Sequence, residues 1–71
     1  MTAYEEVKNY LQKAIEDAKK RKSKHVIVYY RDVAKALNDK YSHPAVSIAL
    51  RRACKEFGGE YLRGVCIVAL E

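Results

Sequence analysis

The side chains with the most chemical potential in this chain are its cations, and they gather in two places. Arg51, Arg52 and Lys55 lie within about one helical turn of each other, and no aspartate or glutamate occurs from Lys40 to Lys55. Upstream, Lys19-Lys20-Arg21-Lys22-Ser23-Lys24 puts five positive charges into six residues. Ammonium and guanidinium groups spaced so closely neutralise successive phosphates and release their condensed counterions, so the chemistry they favour is binding to a polyanion. The plainer alternative is a pair of solvated faces, the upstream one complementing a helix dipole. The formal net charge of +5 over 71 residues points the same way, to DNA, RNA or an anionic surface.

Other chemistries find less to build on. His25 and His43 stand in separate segments, without metal-ligand spacing to Cys54 or Cys66. There is no phosphate-cradling glycine loop and no nucleophile elbow. Asp32 and Asp39 flank a short helical segment and read as caps. The sequence predicts no enzyme, no metal and no cofactor. Cys54 and Cys66 read as two small buried hydrophobes, with a helix-to-strand disulfide as the alternative. A composition rich in Lys, Glu, Arg and Tyr with a single Gln resembles that of small basic proteins from heat-loving archaea, some of which keep disulfides inside the cell.

These side chains must be positioned by very few elements. A chain of this length buries only about 60% of its unfolded surface and forms one domain, residues 1–71. Thr2 and Glu5 make a T-x-x-E capping box, and Tyr4, Val7, Leu11, Ala14, Ile15 and Ala18 recur at helical spacing, predicting a helix from Ala3 to Lys22. The run V-I-V-Y-Y within His25–Tyr30 predicts a strand. Val33, Ala34 and Leu37 mark a short helix from Arg31 to Asn38. After the turn Asp39–Ser42, Ser42 caps a helix that carries Pro44 in its first turn and runs from His43 to Phe57, ending at Gly58-Gly59. Val46, Leu50, Ala53, Cys54 and Phe57 share its core face; Ser47, Ile48, Arg51, Arg52 and Lys55 share the opposite one. Glu60–Leu70 closes the chain as a strand paired with His25–Tyr30, with Gly64 as a bulge or a very tight hairpin.

The order helix, strand, helix, turn, helix, strand, with V-I-V-Y-Y-R-D-V-A-K-A-L and P-A-V-S-I-A-L-R-R-A on either side of the turn, resembles the winged-helix branch of the helix-turn-helix superfamily. The likeness implies an α+β domain of three helices and a two- or three-stranded antiparallel sheet. That family usually ends in two strands joined by a basic wing loop, and here the expected C-terminus leaves room for only a stub of one. The likeness also implies that the helix after the turn enters the major groove with its N-terminal residues nearest the bases. His43, Ser47 and Ile48 would then approach base edges, and Arg51 a guanine edge or a phosphate. Arg52, Lys55 and the Tyr41 hydroxyl would hold phosphates, with Lys19, Lys20, Arg21, Lys22 and Lys24 as an auxiliary phosphate patch. Six tyrosines are expected mostly at the core edge; exposed beside cations, one of them could stack on unpaired bases.

Three functions are compatible with this pattern. The first is duplex DNA binding by a small transcription regulator or architectural factor. The second is service as a protein-docking subunit of a replication, transcription or translation complex. The third is RNA or ribosome binding. A homodimer through the first helix is possible in each. No apolar run approaches a membrane span, and the expected location is cytoplasmic, at the nucleoid.

Overall fold

Backbone donors left open at a helix start need partners, and Thr2 and Glu5 supply them. Thr2 Oγ1 accepts from the Glu5 N–H while the Glu5 carboxylate accepts from the Thr2 N–H, so the capping box forms. In a computed structural model, which describes residues 1–70, the elements run α1 (Ala3–Lys20), β1 (His25–Tyr29), α2 (Tyr30–Ala36), α3 (His43–Glu56), β2 (Glu60–Leu62) and β3 (Val65–Ala69). The domain is α+β: three helices and one three-stranded antiparallel sheet in the order β1-β3-β2.

The element ends follow from local backbone chemistry. α1 stops two residues short of the expected Lys22 because Lys22 takes a left-handed φ of 58° and turns the chain. α2 begins at Tyr30 and ends at Ala36 rather than Asn38. Asn38 and Asp39 are both left-handed, and their N–H groups donate to the Lys35 and Ala34 carbonyls. Short polar side chains tolerate this conformation best, so Asp39 serves the turn. Asp32 is no cap either: the N-cap of α2 is Tyr29, without a side-chain bond, and Asp32 lies in the first turn. Ser42 does cap α3, accepting from the Ala45 N–H at 3.3 Å.

One apolar core joins the elements. Val7, Leu11 and Ile15 of α1 pack against Val46, Leu50 and Ala53 of α3, under Val28, Cys66 and Val68 of the sheet. Among the described residues no polar or charged side chain is buried. The cysteines are not independent hydrophobes: Cys54 and Cys66 form a disulfide, with Cα atoms 5.9 Å apart, that fastens α3 to β3.

In the last segment the tight hairpin at Gly64, and not the bulge, is what forms: Leu62 faces Val65 across the two-residue turn Arg63-Gly64. Both turn residues have positive φ, 50° and 80°, which a two-residue hairpin of this twist requires. The loop joining the last two strands is only two residues long, and the C-terminal half supplies two of the three strands. Among the described residues, no helix is long and apolar enough to cross a membrane.

Where the turn before α3 meets α1, the Tyr41 hydroxyl donates to the Glu6 carboxylate, which also pairs with Lys40 at 2.9 Å. The Tyr41 and Lys40 hydrogen bonds hold the Glu6 carboxyl below its ordinary 4.5, and Glu6 in turn raises Tyr41 above 10.0 and Lys40 above 10.5. The Glu6 contribution to stability is therefore present above pH 4.5 and lost as the carboxylate protonates below it. The Tyr41 and Lys40 contributions are present below pH 10.0 and lost as those groups deprotonate. We expect a Tm plateau between these limits and a shallower acid limb in Glu6→Gln, read by thermal melts across pH. Acid limbs of equal depth in both proteins would contradict the assignment.

Candidate nucleic-acid interface

The exposed side of α3 is not one uniform basic face, because its neighbours divide it. Toward β2, the half-buried Ser47 hydroxyl lies 3.3 Å from the Tyr61 hydroxyl, and the Arg51 guanidinium stands over the Tyr61 ring at 5.6 Å. Toward α1, Arg52 lies over the Tyr4 ring at 4.1 Å and 3.8 Å from the Glu56 carboxylate. Glu56 also accepts from the Tyr4 hydroxyl and approaches Lys8 at 3.8 Å. Arg52 is thus partly neutralised and points away from Arg51. Ile48, 68% exposed, and Lys55 occupy the outer surface of the helix.

On the β2 side the surface sinks into an open groove of about 790 Å³. His43, Ser47 and Arg51 of α3 form one wall. Tyr29, Tyr30, Arg31 and Asp32, where β1 runs into α2, form the second. Tyr61, Arg63, Gly64 and Val65 of the hairpin form the third. A backbone bond from the Tyr30 N–H to the Gly64 carbonyl, 2.7 Å, ties the second wall to the third. Tyr30 also packs on His43, ring centroids 4.4 Å apart, which ties the second to the first.

Charge is distributed unevenly. Of the five arginines, Arg21 is paired with Asp17 at 3.0 Å and Arg52 with Glu56. The other three, Arg31, Arg51 and Arg63, all line the groove, and among the described residues none has a carboxylate within ion-pair distance. Among the described residues, Asp32 is the one acidic residue lining the groove. Arg63 occupies a left-handed turn position where asparagine or glycine is more favourable.

The residues singled out in the sequence are therefore only partly gathered here. His43, Ser47 and Arg51 line the groove; Ile48, Arg52 and Lys55 do not. Tyr41 is held to α1, where its hydroxyl donates to Glu6. Lys19, Lys20, Arg21, Lys22 and Lys24 surround the turn between α1 and β1, at the His25 end of the strand, where the Lys24 carbonyl accepts from the Leu70 N–H. The groove is at the Tyr29 end, about 13 Å away along a five-residue strand. Arg31, Arg63, Tyr29, Tyr30 and Tyr61 were missed. The available signal was Y-L-R-G-V: alternation broken by one basic residue and one glycine marks a hairpin tip and would have placed Arg63 on it. Among the described residues, no three His, Cys, Asp or Glu side chains come together as a metal site.

Compared with models of known protein families, with curated proteins and with solved structures, the chain finds no match.

Proposed function

We propose that this domain binds nucleic acid, with duplex DNA as its principal ligand, and that it does so in the manner of a winged-helix protein without enzymatic activity. The observation that carries the reading is the convergence of Arg31, Arg51 and Arg63 on one groove beside the N-terminal half of α3. Three separate elements contribute one guanidinium each, and each can fork onto phosphate oxygens. The element order, the β1-β3-β2 sheet and the hairpin after α3 fit the winged-helix pattern more fully than the sequence suggested, with Arg63 at the tip of the wing. In this reading His43, Ser47 and Ile48 face base edges, and Lys19–Lys24 forms a second phosphate contact further along the duplex. A small regulator or architectural factor at the nucleoid is the role that follows.

Arg63→Asn is an informative test because asparagine suits the turn better than arginine. Its fold should be as stable as the wild type, so any lost affinity belongs to the missing charge. Combined with Arg51→Ala, it should weaken duplex binding about tenfold at physiological salt and lower the slope of log K against log salt by roughly 2, irrespective of sequence. Fluorescence anisotropy titrations over a salt series measure both. Wild-type affinity and slope in the double variant would remove the groove from the interface.

A second reading, a docking subunit within a larger complex, has its own support. Ile27 and Ile67 oppose each other on the outer face of the sheet, 43% and 46% exposed, with Leu62 at 70% beside them. The readings separate on stoichiometry. A fixed-ratio complex recovered at native abundance, with weak DNA affinity in the isolated chain, favours the second; a free monomer or dimer with salt-sensitive DNA binding favours the first.

A further inference from the structure

In an antiparallel ladder, alternate residues exchange both hydrogen bonds with the facing strand, and the residues between them turn both groups away. Two bonds fix that phase for β1. The Tyr30 N–H donates to the Gly64 carbonyl, and the Leu70 N–H donates to the Lys24 carbonyl. Even-numbered residues of β1 therefore bond to β3, while His25, Ile27 and Tyr29 direct their N–H and C=O groups to the open edge of the sheet. The Tyr29 carbonyl starts the hydrogen-bond ladder of α2. Among the described residues, no strand, turn or side chain bonds to the other groups on that edge.

An open edge is a template for another strand, and proteins usually blunt it with lysine, proline, a bulge or brevity. β2, at the other edge, has only three residues. β1 has five, H-V-I-V-Y, in unbroken register and without lysine, proline or carboxylate. It is also nearly a palindrome about Ile27, so a strand that suits it well is another copy of itself. A two-fold axis at Ile27 sets Val26 against Val28, His25 against Tyr29, and Ile27 against its own counterpart. Ile27 then exchanges both of its bonds across the axis, and the Tyr29 N–H of each copy meets the His25 carbonyl of the other. No like charges meet within the paired strands. α1 offers no comparable surface, because Val7, Leu11, Ile15 and Ala18 are all buried in the core.

We infer that β1 pairs antiparallel with β1 of a second copy, so that a homodimer joins the two three-stranded sheets into one. The axis runs the His25 end of each strand beside the Tyr29 end of the other, about 5 Å away. Within one chain the Lys19–Lys24 turn and the groove lie at opposite ends of β1. Across the dimer they become neighbours, and each nucleic-acid site takes cations from both copies. That use of the dimer rests on the function proposed above; the dimer itself rests on the strand edge alone.

Sedimentation velocity of the full chain without nucleic acid, over a concentration series, tests it. The mass should rise from 8.1 kDa toward twice that value. Ile27→Pro removes the N–H at the axis but no ladder bond within the chain, since that group faces outward. It should keep the circular dichroism spectrum of the wild type and weaken the dimer about thirtyfold or more. Ile27→Lys, which sets two like charges together at the axis, should do the same and serves if the proline variant fails to fold. Leu62→Lys alters the exposed apolar face at β2, two strands from the proposed edge, and should remain dimeric. A wild type that is monomeric throughout the series overturns the inference. So does a dimer that survives both Ile27 variants, or one that Leu62→Lys dissolves, which would place the contact on the face of the sheet. A monomer with salt-sensitive DNA binding leaves the proposed function standing; a dimer of the predicted behaviour that binds no nucleic acid removes that function and keeps the strand pairing.

Discussion

Reducing the disulfide between Cys54 and Cys66 is expected to cost the domain about 3 kcal/mol of unfolding free energy. The two cysteines are separated by 12 positions, and cross-linking them removes from the unfolded chain the entropy of closing a loop of that length. A chain of this size has only about 4–10 kcal/mol of total stability, so the loss is a third of it or more. In a thermal melt it corresponds to a fall in Tm of roughly 15 °C. Both cysteines are fully buried, so a reductant gains access through unfolding. The comparison should therefore use protein reduced in denaturant and refolded, with free thiols confirmed by mass. Superimposable denaturation curves for the oxidised and reduced forms would show that the bond adds nothing. Function is linked to this result, because the bond fastens α3, which carries His43, Ser47 and Arg51, to β3, the strand paired to both β1 and β2. On the function proposed above, a reduced protein that still folds should bind nucleic acid more weakly than the oxidised one.

The second large effect is expected at Gly59, where α3 gives way to the hairpin. A Cβ built there would sit 2.6 Å from the Ile67 carbonyl oxygen, 2.7 Å from Val68 Cγ2 and 3.0 Å from Cys54 Sγ. The first of these is backbone and the last is half of a disulfide, so neither can move aside cheaply. Gly59→Ala should destabilise the domain by about 3 kcal/mol, at the upper end of ordinary overpacking. Its neighbour supplies the control. Gly58 has open space around its Cα but a φ of +79°, so Gly58→Ala meets only the left-handed penalty of about 1–2 kcal/mol. Urea denaturation of the two variants separates crowding from backbone strain. A Gly58→Ala loss equal to or greater than that of Gly59→Ala would mean that the close approach of α3 to β3 is not what requires glycine at position 59.

Much of the architecture was legible before any coordinates. The capping box at Thr2 and Glu5, the stripe Val7-Leu11-Ile15-Ala18, the Ser42 cap and the glycine exit from α3 are governed by interactions within a few residues of each other, so sequence spacing alone specifies them. Pairing of the C-terminal segment with His25–Tyr29 was also readable from its β-branched run. Ala49 was overlooked as a core residue, although it is 5% exposed.

The candidate site was much less legible. The sequence by itself determined the three helices, the first strand, the apolar stripes and the excess of positive charge, since these depend on local hydrogen bonding and composition. Only the tertiary structure decided which cations share a site. Arg31, Arg51 and Arg63 are far apart in the chain and meet because β1 enters α2 at the point where the hairpin folds back beside α3. Adjacency worked the other way for Arg51 and Arg52, neighbours in sequence whose side chains lie about 100° apart around the helix. One faces the groove and the other is taken by Tyr4 and Glu56. Tyr41 followed the same logic: its position in the turn was readable, but its partner Glu6 came from an element 35 residues away. Charge in a chain is local, whereas a binding site is a long-range contact, and long-range contacts are set by how apolar faces pack.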